Sequence, residues 1–166
     1  NLLISKMPRS VNRTMSTHER QRANQRLALI NGRVALPDRV ATGLAVVIDG
    51  STIVDLIDTD RLGADVERLD VGGRLITPGL IDIHTHGALG HTFNEPTAKA
   101  YEVITGENAH NGITSLLATT ATAPIADLVA CLDFARTWMN DPHDGANVLG
   151  VHVEGPYFSP AQAGAQ

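Results

Sequence analysis

Thr77-Pro78-Gly79-Leu80-Ile81-Asp82-Ile83-His84-Thr85-His86-Gly87 is a short apolar run that ends in two histidines two residues apart. Read as a β-strand, it alternates faces with period two, which groups Asp82, His84 and His86 on one side and Ile81, Ile83 and Thr85 on the other. The two imidazoles then converge. A pair of neutral imidazoles at the carboxyl end of a strand buried on both faces is the start of a divalent-metal site. A lone histidine on a strand is more often a hydrogen-bonded core residue; two on one face, at the end where α/β folds place their active sites, reverse that judgement.

Downstream of this strand the pattern alternates. Residues 96–111 have helical spacing and stop at Asn111-Gly112, and Ile113-Thr114-Ser115-Leu116-Leu117-Ala118-Thr119-Thr120 reads as a second buried strand. Pro124 opens a second helix, with Leu128, Cys131, Leu132, Ala135 and Met139 at spacings of three and four. These, Cys131 and Met139 included, are expected in the core, with Trp138 packed on the sheet. Asn147-Val148-Leu149-Gly150-Val151-His152-Val153-Glu154 is the third strand. Strand, helix, strand, helix, strand is the grammar of a parallel α/β fold. A closed eight-stranded barrel takes about 250 residues, so the expectation is either an incomplete TIM-type (β/α) barrel holding the first three strands, or a small open sheet.

Upstream, several short strands are punctuated by turn residues. Leu44 to Ile48 runs into Asp49-Gly50, a hairpin signal, and Thr52 to Ile57 returns. Together with 27–34 and 66–71 these segments suggest a small β-sandwich without candidate ligands. The organisation expected is a basic, flexible tail over 1–26, with Met15 as a candidate start residue, a β-sandwich portion over 27–76, and the metal-bearing α/β portion over 77–166.

Composition narrows the function classes. The 166 residues are 43% hydrophobic and 19% charged, with a formal net charge of −5, which is globular and, outside the tail, lacks the clustered cations that nucleic-acid binding requires. The single cysteine, Cys131, excludes an internal disulfide framework and a thiolate-rich metal site. No apolar run approaches the roughly 18–20 residues of a membrane span. The reading is a soluble, cytoplasmic protein with neither nucleic acid nor membrane as partner.

A further candidate ligand stands at a strand end. Glu154 closes an otherwise apolar strand, where an ionisable group requires a partner and a cation supplies one. His152, two residues earlier on the same face, is either a group that orients the carboxylate or a neutral core histidine; Asp82 poses the same question beneath the histidine pair and is read as supporting the pair rather than as a ligand. His110 at a helix end, His18 in the tail and His143 in an Asp-Pro-His-Asp-Gly loop have simpler explanations; His91 follows the glycine-bearing loop after the histidine strand. Histidine and carboxylate donors suit zinc, iron, manganese or cobalt.

At residues 78–87, Pro-Gly-Leu-Ile-Asp-Ile-His-Thr-His-Gly resembles the first-strand signature of the amidohydrolase superfamily, metal-dependent hydrolases with a TIM-barrel catalytic domain and a small flanking β-sandwich. Gly-Ile-Thr-Ser-Leu-Leu-Ala-Thr-Thr at 112–120 and Leu-Gly-Val-His-Val-Glu-Gly-Pro-Tyr-Phe-Ser-Pro-Ala-Gln-Ala-Gly-Ala at 149–165 more narrowly resemble the N-acetylglucosamine-6-phosphate deacetylase family. The resemblance runs from about Leu27 to Gln166. It implies that Glu154 is a metal ligand, that His84 and His86 belong to a site for one or two ions, and that the backbone of Gly164 and Ala165 lies near the substrate. It assigns no role to Gln166. It also implies two further histidine ligands and a catalytic aspartate beyond Gln166, so no catalytic acid is assigned within the chain.

The activity implied is release of acetate from N-acetylglucosamine 6-phosphate, an amino-sugar phosphate. Metal lowers the pKa of bound water to about 7 for attack on the acetamido carbonyl, and the aspartate relays the proton to the leaving amine. The full-length enzyme is implied to be a homodimer. This chain alone is expected to be a fragment, poorly stable and inactive, with apolar strand faces and a bare sheet edge exposed. The alternatives are another amidohydrolase, such as a cyclic-amide hydrolase, and a truncated, non-catalytic binding protein.

Overall fold

The structure, a computed structural model, describes residues 26–162 and Gly164. The tail read over 1–26 lies outside the described residues except for Arg26, and so does Ala165. The described residues fall into two compact units that meet in sequence at Pro78 and Gly79.

The first unit holds seven short strands: β1 (Leu27–Ile30), β2 (Arg33–Ala35), β3 (Val40–Ala41), β4 (Leu44–Asp49), β5 (Thr52–Asp58), β6 (Glu67–Asp70) and β7 (Leu75–Ile76). They form a four-stranded sheet in the order β5-β4-β1-β6 and a three-stranded sheet in the order β3-β2-β7. The β4–β5 hairpin turns at Gly50, whose φ of +58° follows from the glycine a tight hairpin requires at that position. β1 and β2, adjacent in sequence, belong to different sheets, and the chain changes sheet at Asn31, itself at φ +55°. Alternation on β4 sends Ala45 and Val47 into a cluster with Ala28 and Leu62.

The second unit contains β8 (Leu80–Thr85), β9 (Gly87–Ala88), β10 (His91–Thr92), α1 (Ala98–His110), β11 (Ile113–Thr120), α2 (Ile125–Asn140) and β12 (Asn147–Val153). β12, β11 and β8 lie in that order in one sheet, and both pairings are parallel. A parallel pair requires a crossover, which α1 and α2 provide. Thr97 caps α1 by accepting from the Ala100 amide, and the helix stops before Gly112, at φ +92°.

The core of this unit is aromatic. Phe93, Tyr101, Ile104, Leu116, Ala118, Ala135, Trp138, Ala146 and Val148 form one buried cluster. Tyr101 has its ring centroid 5.0 Å from Phe93, 5.0 Å from Phe134 and 5.2 Å from Trp138, the separation at which aromatic edges meet faces favourably. Burial pushes the Tyr101 phenol up to about 12.

Two expectations about burial are corrected here. Met139 is exposed, because the inward arc of α2 runs through Leu128, Cys131, Ala135 and Trp138 and leaves Leu132 and Met139 on its flank. The histidine strand is not buried on both faces: Leu80, Ile81 and Ile83 are exposed, Ile83 by 67%, and Leu149 and Val153 of β12 are exposed as well. β8 and β12 are the outer strands of the sheet, so fewer neighbouring side chains cover them than cover β11. Neither helix is long and apolar enough to cross a membrane.

Candidate metal centre

Parallel strands present all their carboxyl ends on one side of the sheet, so residues that close β8 and β12 become neighbours despite their distance in sequence. His84 lies in β8, His86 directly follows it, and Glu154 directly follows β12. Their ligand atoms all lie within 4.8 Å of one another. Glu154 Oε2 is 3.1 Å from His86 Nε2 and 3.3 Å from His84 Nε2. Metal–ligand bonds of about 2.0–2.2 Å at a tetrahedral angle separate two donors by about 3.3–3.6 Å, so the observed spacing is close to that of a ligand set around one small cation.

The donor chemistry fits as well. Two imidazole nitrogens and one carboxylate oxygen suit a borderline divalent ion, and three protein donors leave positions open for water or substrate. The side chains are partly exposed, His84 by 50% and Glu154 by 26%, so one side of the cluster is accessible. His86 Nδ1 is buried without a hydrogen-bond partner, which leaves Nε2 as the nitrogen that faces the cluster. Without a cation, the same contacts require a proton between imidazole and carboxylate; a metal ion replaces that proton.

Local sequence builds this end of the sheet. Gly155 follows Glu154 at φ +81°, and a Cβ there would collide with Thr122 Oγ1 and the Phe158 ring, so glycine is required for the chain to leave the strand as it does. After His86, β9 and β10 form a small hairpin whose return is tied by the Phe93 amide to the His86 carbonyl at 2.9 Å. A Cβ on Gly87 would meet the backbone of His91 and Thr92. Asn94 then joins two strand-end loops: its side chain accepts from the Ala121 amide at 2.7 Å and donates to the Ala121 carbonyl at 3.0 Å. Sequence reading passed over Asn94, and a lone asparagine in a loop carries no signal of such a clamp.

The other candidates are placed as follows. His152 packs its ring edge-on against His84, centroids 4.9 Å apart. Asp82 does not reach a histidine ring by its Oδ1: that oxygen accepts the backbone amide of His84 at 2.9 Å. Strict alternation, with Asp82 on the face of His84 and His86, also fails, because β8 is irregular between Asp82 and Thr85. His91 pairs through Nδ1 with Glu95 at 3.1 Å. Hydrogen bonds from His91 and from the Thr92 amide hold the Glu95 carboxyl below its usual range. His143 is exposed in its loop, as read, and its ring also stacks on Trp138 with centroids 3.5 Å apart and planes 7° from parallel. Gly164 stands exposed at φ +62° with open space where a Cβ would be, and Ala165 lies outside the described residues.

Residues 75–165 match the amidohydrolase family. The chain is 33% identical over 133 residues to N-acetylglucosamine-6-phosphate deacetylase of Haemophilus influenzae, a match that covers 80% of this chain and 34% of the relative. It is 32% identical over 120 residues to the protein of the same name from Vibrio furnissii, covering 72% and 30%. Among solved structures, N-acetylglucosamine-6-phosphate deacetylase from Pasteurella multocida superposes with a TM-score of 0.79 at 28% identity, over 84% of this chain and 37% of that one. The chain thus spans about a third of the length of the curated relatives it matches.

Proposed function

The chain belongs to the amidohydrolase family, and from that premise we propose that it carries part of the active site of a deacetylase that converts N-acetylglucosamine 6-phosphate to glucosamine 6-phosphate and acetate. The observation that carries the reading is the convergence of His84, His86 and Glu154 at the carboxyl ends of β8 and β12. In this reading the three parallel strands are the opening third of a TIM-type barrel, and residues 27–76 are the accompanying β-sandwich.

His84 and His86 hold the ion through Nε2, and Glu154 holds it through a carboxylate oxygen. The histidine pair gives room for one or two ions of zinc, iron, manganese or cobalt. The chemistry a divalent cation would supply there is polarisation of the acetamido carbonyl and a water made nucleophilic near neutral pH. The role of this chain's own residues is to bind and orient. The strand ends fix the two imidazoles, Gly155 fixes the exit of Glu154, and the Asn94 clamp keeps the neighbouring loops in register. The proton that the leaving amine requires is assigned to no residue of this chain, and neither are the remaining ligands. The reading includes a cytoplasmic location, a homodimeric full-length enzyme, and substrate contact by the backbone of Gly164 and Ala165.

The test is acetate release from N-acetylglucosamine 6-phosphate by the full-length protein that carries this chain. Release is expected to stop on chelation, to return with zinc or cobalt, and to be abolished by Glu154→Ala. Release that persists undiminished through chelation and in Glu154→Ala would rule the metal assignment out.

A further inference from the structure

Between Asp82 and Thr85 the histidine strand takes three steps while β11 takes only two, from Leu116 to Ala118. The count is balanced at the start of the pairing, where Ile113 and Ser115 stand opposite the consecutive residues Leu80 and Ile81. Leu116 and Ala118 both belong to the buried aromatic cluster. Their partners Asp82 and Thr85 therefore fall on one face of the sheet although they are three residues apart, which only a bulge in β8 allows.

A bulge withdraws backbone amides from the ladder, and each then requires another acceptor. Two side chains supply them here. The His84 amide donates to Asp82 Oδ1 at 2.9 Å, and the Thr85 amide donates to Thr119 Oγ1 at 3.1 Å. Thr119 is fully buried in β11, and its hydroxyl also reaches the Leu117 carbonyl at 3.5 Å. In the other direction Thr119 pairs with His152 of β12, whose ring packs against His84. The hydroxyl thus sits in the middle strand, between the strands that carry the metal cluster. The two amides it and Asp82 satisfy belong to His84 and to the residue between the two histidines.

We propose that Asp82 and Thr119 are positioning residues: they hold the bulge that aims His84 and His86 at Glu154, and they thereby set the affinity of the cluster for its ion. The inference rests on the metal reading given above. Without the two acceptors, restoring the regular ladder becomes the protein's own way to satisfy the amides of His84 and Thr85, and that shifts His84 by one position relative to β11.

The experiment compares Thr119→Val, which keeps the volume and removes the hydroxyl, with Thr119→Ser, which keeps the hydroxyl, in the full-length protein that carries this chain. Two quantities are read: hydrogen exchange of the Thr85 amide in the metal-free protein, and the Zn2+ Kd by chelator competition. Thr119→Val is expected to speed Thr85 exchange roughly tenfold, the loss of one hydrogen bond, and to raise the Kd about 10- to 100-fold, while α1 amides keep their protection. Thr119→Ser is expected to restore both. Should Thr119→Val not fold, Asp82→Ala against Asp82→Asn, read at the His84 amide and by the same Kd, makes the same comparison. Wild-type Zn2+ binding that is unchanged in Thr119→Val, or lost without rescue by serine, overturns the inference. Failure of the wild-type full-length protein to bind Zn2+ overturns the metal reading and the inference with it, an outcome distinct from the first because no variant is involved.

Discussion

Glu154 Oε2 lies 3.1 Å from His86 Nε2, and the two residues stand just past the carboxyl ends of β12 and β8, the outer strands of one parallel sheet. The intervening β11 pairs with both strands and sets that separation. The contact therefore reports on correct assembly of the whole sheet as well as on local chemistry.

Removing either partner is expected to weaken divalent-ion binding by more than the ~10–100-fold that loss of a supporting group costs. Isothermal titration of Zn2+ into Glu154→Gln and His86→Ala, against wild type, checks this. Equal affinities in all three would place the ion elsewhere.

Asn94 replaces a missing ladder between two loops, with two hydrogen bonds to the Ala121 backbone. Asn94→Ala leaves those backbone groups short of partners and is expected to cost about 1–3 kcal/mol of stability. Urea denaturation of the variant and wild type measures the difference, and an unchanged midpoint would mean that water replaces the clamp without loss.

Alkaline stability is expected to depend on Tyr101. Its folded pKa is pushed up to about 12, above an unfolded value near 10, because burial in the aromatic cluster penalises the phenolate. A raised folded value means the contribution is complete below about pH 10 and is lost as pH rises towards 12. Tyr101→Phe is expected to flatten that limb in thermal melts between pH 9 and about 11; an identical limb in the variant would assign it to another group.

In the first unit the corresponding group is Asp70. The Gly72 amide at 2.7 Å and Asn31 Nδ2 at 2.9 Å hold its carboxyl below the usual range. A lowered folded value contributes stability that is present above an unfolded value of about 3.9 and is lost as pH falls through the folded one. Asp70→Asn is therefore expected to remove part of the acid sensitivity of this unit, followed by circular dichroism from pH 6 down to about 2.

The order of strands and helices was legible because each signal is local: the apolar run that opens 80–85, helical spacing in 98–110 and 125–140, and Asn111-Gly112 and Pro124 as punctuation. Convergence of His84, His86 and Glu154 was legible for a topological reason, since ligands at the carboxyl ends of parallel strands have no other place to go. The bulge at Asp82–Thr85 was not legible. It depends on a hydroxyl in another strand, and Thr119 in Ala118-Thr119-Thr120 looks like any β-branched strand residue. Met139 had the correct period but lay on the margin of the buried arc, whose centre is fixed by which residues of the sheet the helix meets. His143 is exposed in its loop, as a solvated turn residue should be, but its stacking on Trp138 is a tertiary event with no mark in Asp141-Pro142-His143.

The Trp138–His143 stack has a practical consequence. Trp138 is the sole tryptophan of the sequence, it is 6% exposed, and it lies within the α/β unit. Indole emission therefore reports on the unit that holds it, whereas far-ultraviolet dichroism sees both. Recording the two signals in one denaturation shows whether the halves melt together or in sequence, and the imidazole lying flat on the indole makes the first departure of the 141–145 loop visible as a change in emission, without any added label.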